Sequence, residues 1–180
     1  RKENTISYIR NIKTLQEESL IGAIEDSNNK ILGIVINAVD NFLHKAQLSI
    51  KEVHNNLRFW TENAGFEDLI KKLLDLGYDI FIASDHGNIE SIGIGRPKEG
   101  LAVDVAGERM RLYSSDFDSS NLLEGYDAYL WEGIGLPNQY HYFICNKSYS
   151  FTTKNEVIMA HGGISVEEII VPFIHIRKDD

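Results

Sequence analysis

An open α/β domain with a doubly wound, mostly parallel sheet is the class this sequence predicts, on three observations. Residues 31–39 and 78–83 are short, almost unbroken apolar runs. Their β-branched character suits strands covered on both faces of a parallel sheet. Between them, apolar residues recur at three- and four-residue steps, the spacing of amphipathic helices. The interval is also long enough for the crossover that parallel strands require.

The elements follow in order. Ile9, Ile12, Leu15, Leu20, Ile21 and Ile24 stand near helical spacing and end in the polar run 26–29, so residues 1–30 read as a helical lead-in. A core strand over 31–39 then delivers Asp40. Ile50, Val53, Leu57 and Trp60 mark a helix over about 46–60, and a second helix over 66–76 is stopped by Gly77. Residues 78–83 form the second core strand. From about 89 to 153 the pattern changes to short alternating strands with turn residues, for example Val103 and Val105, then Met110 and Leu112, which reads as a β-rich insertion. The finish is His161-Gly162-Gly163, a helix start with capping-box character at Ser165 and Glu168, and a last strand over 169–176.

Composition narrows the function classes. A chain of 180 residues, 43% hydrophobic and 25% charged, makes one domain with a real core. The formal charge of -9 argues against nonspecific nucleic-acid binding, which needs an excess of Lys and Arg. Cys145 is the only cysteine, which excludes an intrachain disulfide and a Cys-rich zinc site and fits a reducing compartment. No apolar run approaches a membrane span and no signal peptide is legible, so cytoplasm is the expected location. The chain opens on Arg1 without a methionine, from which a part of something longer is expected.

In an open α/β sheet, ligands bind beyond the carboxyl ends of the strands. Asp40 and His44 follow the first core strand four residues apart, on one side of a helical turn. Asp85 and His86 follow the second, in the turn Ser84-Asp85-His86-Gly87. His161 precedes the last strand on a Gly-Gly turn. Mixed Asp and His ligands favour zinc, manganese or iron over calcium, and two such ions can clamp the attacking and leaving oxygens of a phosphoryl transfer. Arg109 and Arg111 lie two apart on a probable strand, opposite Met110 and Leu112. They are candidates for contact with a substrate phosphate, against the plainer reading of a solvated strand face. His54, His141, His175 and Cys145 read as structural.

In order and spacing, Asp40 with His44, the run 84–87, and His161-Gly162-Gly163 followed by residues 164–172 resemble the second half of alkaline phosphatase superfamily domains. The ending is most similar to the PglZ domain, and the resemblance covers about residues 31–176. It implies an alkaline phosphatase-like fold in which Asp40, His44 and His161 hold one divalent ion. Asp85 and His86 would hold a second ion together with an earlier Asp and a Ser or Thr nucleophile. Zinc is the first expectation and manganese the alternative. No counterpart of the last two residues is visible among residues 1–30, so the nucleophile is expected upstream of Arg1, the second metal site is incomplete, and the chain alone should be inactive. The resemblance further implies a phosphate-ester substrate, a nucleotide among the candidates, and partners in phage defence or signalling. Two other readings stay open: a binding or regulatory module that keeps the fold without the chemistry, and an unrelated α/β domain whose Asp-His turns merely cap helices.

Overall fold

The computed structural model describes residues 5–12, 14–45, 50–98, 103–114 and 124–179. In chain order the elements begin with β1 (Thr5–Ile9), α1 (Glu18–Glu25), β2 (Asn29–Ile34), α2 (Ala38–Lys45), α3 (Ile50–Asn63), α4 (Phe66–Asp75) and β3 (Ile80–Ala83). The β-rich stretch follows with β4 (Ile89–Gly93), β5 (Val105–Ala106), β6 (Met110–Ser114), β7 (Ala128–Trp131), β8 (Tyr140–Cys145), β9 (Tyr149–Ser150) and β10 (Val157–Ala160). Helix α5 (Val166–Ile169) and strand β11 (Phe173–Ile176) close the chain. Two compact units result instead of the single one expected: Arg1–Ala46 with Lys51–Ala83 and Phe173–Asp180, and Gln47–Ile50 with Ser84–Pro172.

The first unit corrects the helical reading of residues 1–30. Thr5 to Ile9 form a strand that pairs in parallel with β2. The segment alternates β-branched and aromatic residues with small polar ones, a period of two that the helical count over Ile9 and Ile12 obscured. Among the described residues of this segment only Glu18–Glu25 is helical. Its Leu20 and Ile24, one turn apart, pack with Leu69 and Leu73 of α4 and with Leu15 into the core of this unit. Asn29 ties the three elements together: it accepts the Ser7 hydroxyl at 2.6 Å and donates to the Ala23 carbonyl at 2.8 Å. Gly77, at φ +83°, ends α4 as its spacing predicts.

The expectation of one doubly wound sheet, with both core strands covered on both faces, is not met by the described residues. Strand β2 pairs with β1 alone among them. Leu32 and Ile34 pack on the core, while the other face presents Ile6, Tyr8 and Ile31, each more than half exposed. Strand β3 pairs antiparallel with β11, and its Phe81 lies in an outer stack with Phe173 and His175. Among the described residues parallel pairing is confined to β1 with β2 and β4 with β9. The expected helix over 46–60 begins, as described, at Ile50; residues 46–49 lie outside the described part.

The second unit is rich in strands, β4 to β10 lying between residues 89 and 160. It holds a three-stranded sheet ordered β10-β4-β9 and a four-stranded sheet ordered β5-β6-β8-β7. Tyr113, Cys145 and Phe151 form its buried centre, with Tyr126, Phe143 and Tyr149 against them. Among the described residues no helix is long and apolar enough to cross a membrane.

Candidate functional site

Asp40 and His44 both fall within α2, one helical turn apart as expected, Asp40 in its first turn. The side chain of His44 lies outside the described residues. These two belong to the first unit, whereas Asp85, His86 and His161 belong to the second.

Within the second unit the pairing of β10 with β4 sets the geometry. Ala160 pairs with Ile89, so His161 leaves the end of β10 beside the turn that runs from Asp85 into β4. The two imidazoles meet there. The rings of His86 and His161 stack with centroids 3.9 Å apart and planes 12° from parallel. His86 Nδ1 lies 3.0 Å from the Gly87 carbonyl. A carbonyl only accepts, so the tautomer assigned from this contact carries its proton on Nδ1 and leaves the Nε2 lone pair for a ligand. Such a second bond is what usually orients a metal-binding histidine.

The Asp85 and His86 side chains fit a shared cation. His86 Nε2 and Asp85 Oδ1 stand 3.8 Å apart. A zinc ion at roughly 2.0–2.2 Å from each could span that gap. Asp85 is the exposed member, its side chain 83% accessible against 28% for His86. The stack also constrains the stoichiometry. An imidazole lone pair lies in the ring plane, and an ion midway between two nearly parallel rings would sit roughly 2 Å out of both planes, where neither nitrogen can bond it. Among the described residues no three His, Cys, Asp or Glu side chains cluster closely enough to hold one ion.

Three glycines explain why these turns have the sequences they do. A side chain at Gly87 would collide with the Glu167 carbonyl, and the Gly87 N–H donates to the Glu168 carbonyl at 2.8 Å. Gly162 adopts φ +98°, a left-handed conformation that other residues rarely take. At Gly163 a Cβ would stand 2.6 Å from Glu168 Oε2, and the Gly163 N–H donates to Glu168 Oε1 at 2.7 Å.

Arg109 and Arg111 do not present themselves to a substrate. Arg109 is 2% exposed and makes a two-pronged bond to Glu168, Nε to Oε1 at 3.0 Å and Nη2 to Oε2 at 3.1 Å. Its Nη1 donates to the Tyr149 carbonyl. Arg111, also buried, donates to the Gly107 and Phe151 carbonyls and lies 4.8 Å over the Phe151 ring. The expected strand faces are thus reversed. Arg111 and the core residue Tyr113 share one face of β6, while Met110 and Leu112 are only half buried.

Glu168 is the residue that sequence reasoning undervalued. Its capping-box position was legible, but not that its side chain is buried against an arginine 59 residues away. Burial pushes its carboxyl pKa up. The bonds from Arg109, Gly163 and Ser165 outweigh that and hold it below the ordinary value of 4.5.

The described residues thus form a mixed helix-and-sheet chain that sets an Asp-His-Gly turn against a His-Gly-Gly turn. The chain belongs to the PglZ family: the BREX system PglZ alkaline phosphatase-like domain matches residues 3–176. That match takes in β1 and α1, so the segment expected to precede the domain is part of it. No curated protein matches the chain.

Proposed function

We propose that this domain serves metal-dependent hydrolysis of phosphate esters. In this reading Asp40 and His44 of the first unit and Asp85, His86 and His161 of the second are ligands to divalent ions, zinc in the first instance and manganese as the alternative. Bound there, such ions would supply Lewis-acid stabilisation of charge on the phosphoryl oxygens and activate an oxygen nucleophile. The chain's own contribution is positional: the Gly87 carbonyl fixes the His86 tautomer, and the stack holds the two rings side by side. Hydrolysis in this reading also needs a Ser or Thr nucleophile and a further Asp, for which residues 1–30 show no counterpart. The substrate is a phosphomonoester or diester, a nucleotide among the candidates, and the setting is cytoplasmic phage defence or signalling. Specificity cannot rest on Arg109 or Arg111, whose guanidiniums are turned inward.

The observation that carries the reading is the parallel stack of His86 on His161 in a chain of this family. Zinc and manganese uptake by the chain, measured by elemental analysis, tests it, together with turnover of 4-nitrophenyl phosphate and bis(4-nitrophenyl) phosphate. The chain should bind metal, lose it on His86→Ala and His161→Ala, and turn over neither ester. A longer protein that includes the nucleophile should hydrolyse one of them. Failure of the chain to take up either metal would refute the reading, and brisk turnover by the chain alone would refute the position of the nucleophile.

The alternative reading is a binding or regulatory module that keeps the same fold. Metal uptake without hydrolysis in the longer protein would select it.

A further inference from the structure

We propose that Glu168 is the positioning residue for both imidazole-bearing turns, with Arg109 holding its carboxylate in place; the consequence for metal binding rests on the reading above. Two arms run from this one residue. Its backbone carbonyl accepts the N–H of Gly87, the residue after His86, at 2.8 Å. Its carboxylate accepts the N–H of Gly163, two residues after His161, at 2.7 Å.

The carboxylate is fully engaged. Oε1 takes Arg109 Nε at 3.0 Å and the Gly163 N–H; Oε2 takes Arg109 Nη2 at 3.1 Å and the Ser165 N–H at 3.2 Å. Every partner is a donor, so the position demands a group that only accepts. A glutamine would turn an NH2 donor against at least one of them. With both oxygens taken and the residue 2% exposed, Glu168 is neither a metal ligand nor a proton carrier. Its contacts instead fix the backbone on which the two histidines stand. The glycines agree with this. A Cβ at Gly163 would meet the Glu168 carboxylate, and one at Gly87 would meet the neighbouring Glu167 carbonyl.

The two arms separate experimentally, because substitution at 168 removes the carboxylate and leaves the carbonyl. Long-range 1H–15N spectra of the metal-free chain report ring tautomer and stacking at His86 and His161, and competition with a chelator reports the affinity for zinc alone. In Glu168→Gln and in Arg109→Met/Glu168→Met, the His161 ring resonances should shift while His86 keeps its Nδ1–H tautomer. Zinc affinity should fall about ten- to a hundredfold, the usual cost of losing an orienting partner. Gly87→Ala should give the converse, a disturbed His86. The double Met variant replaces the buried pair with apolar groups, which cores commonly tolerate, so it decides the matter if Glu168→Gln does not fold. Arg109→Lys, which keeps the charge but loses the two-pronged bond, decides it if neither folds. A folded variant with wild-type His161 resonances and zinc affinity within twofold overturns the proposal. If the wild-type chain takes up no zinc, the metal reading fails by itself, and the ring resonances still decide the role of Glu168.

Discussion

Replacing Arg109 by methionine should destabilise the second unit strongly, and more than removing its partner as well. The Arg109 and Glu168 side chains are 2% and 1% exposed, so Arg109→Met leaves a carboxylate in the interior with only the Gly163 and Ser165 N–H groups for company. The Tyr149 carbonyl also loses its arginine donor. Breaking a buried pair in this way costs about 3–5 kcal/mol. For a chain of this size that is a fall of about 6–20 °C in melting temperature. In Arg109→Met/Glu168→Met the stranded charge is gone and two orphaned N–H groups remain, so the loss should be smaller than in the single variant. Urea unfolding followed by Trp131 fluorescence in a Trp60→Phe background reads this unit, since Trp131 lies on β7 and Trp60 on α3. Acid supplies a second arm. The Glu168 carboxyl is held below 4.5, so its contribution is complete above pH 4.5 and is lost as pH falls through the folded value. Without Arg109 nothing of equal strength opposes burial, the carboxyl protonates more readily, and the gap between variant and wild type should narrow towards pH 4. A single variant within about 1 kcal/mol of wild type at pH 7, or a double variant less stable than the single, would refute the argument.

Three further outcomes follow from the same structure. Burial pushes the Cys145 thiol up to about 12, so at pH 8 only about one thiol in ten thousand is ionised, and it should resist 5,5′-dithiobis(2-nitrobenzoate) until the protein unfolds; prompt labelling of native protein would contradict its placement. Gly87→Ala forces a methyl group against the Glu167 carbonyl and should cost about 1–3 kcal/mol or more in urea unfolding, with faster amide exchange at residue 87; wild-type stability would mean that the turn is not so closely packed. Gly22 lies inside α1 with open space where a Cβ would go, so Gly22→Ala should stabilise the first unit by about 0.5–1 kcal/mol, seen as a higher thermal midpoint of the Trp60 signal; a lower midpoint would count against the helix.

The Arg109 and Glu168 pair also bears on specificity. Three of the five Arg109 N–H groups go to the Glu168 carboxylate and the Tyr149 carbonyl, and the side chain is 2% exposed, so Arg109 is not placed to contact a phosphate.

By itself the sequence determined what rests on local chemistry. Helices α3 and α4 were legible from apolar spacing, the end of α4 from Gly77, the β-rich stretch from short alternating runs, and the cap at Ser165 from the glutamate three residues on. The family was legible too, and its match accords with the motifs that suggested it. Tertiary structure decided what depends on partners distant in sequence. Strand β1 is a strand because β2 pairs with it, although its isoleucines also fit a helical count. Arg109 and Arg111 face inward because a carboxylate from α5 and carbonyls from several segments meet their donors, and alternation along a strand cannot say which of its two faces is the buried one. The stacking of His86 on His161 came from a strand register joining residues more than seventy positions apart, and no local pattern encodes a register.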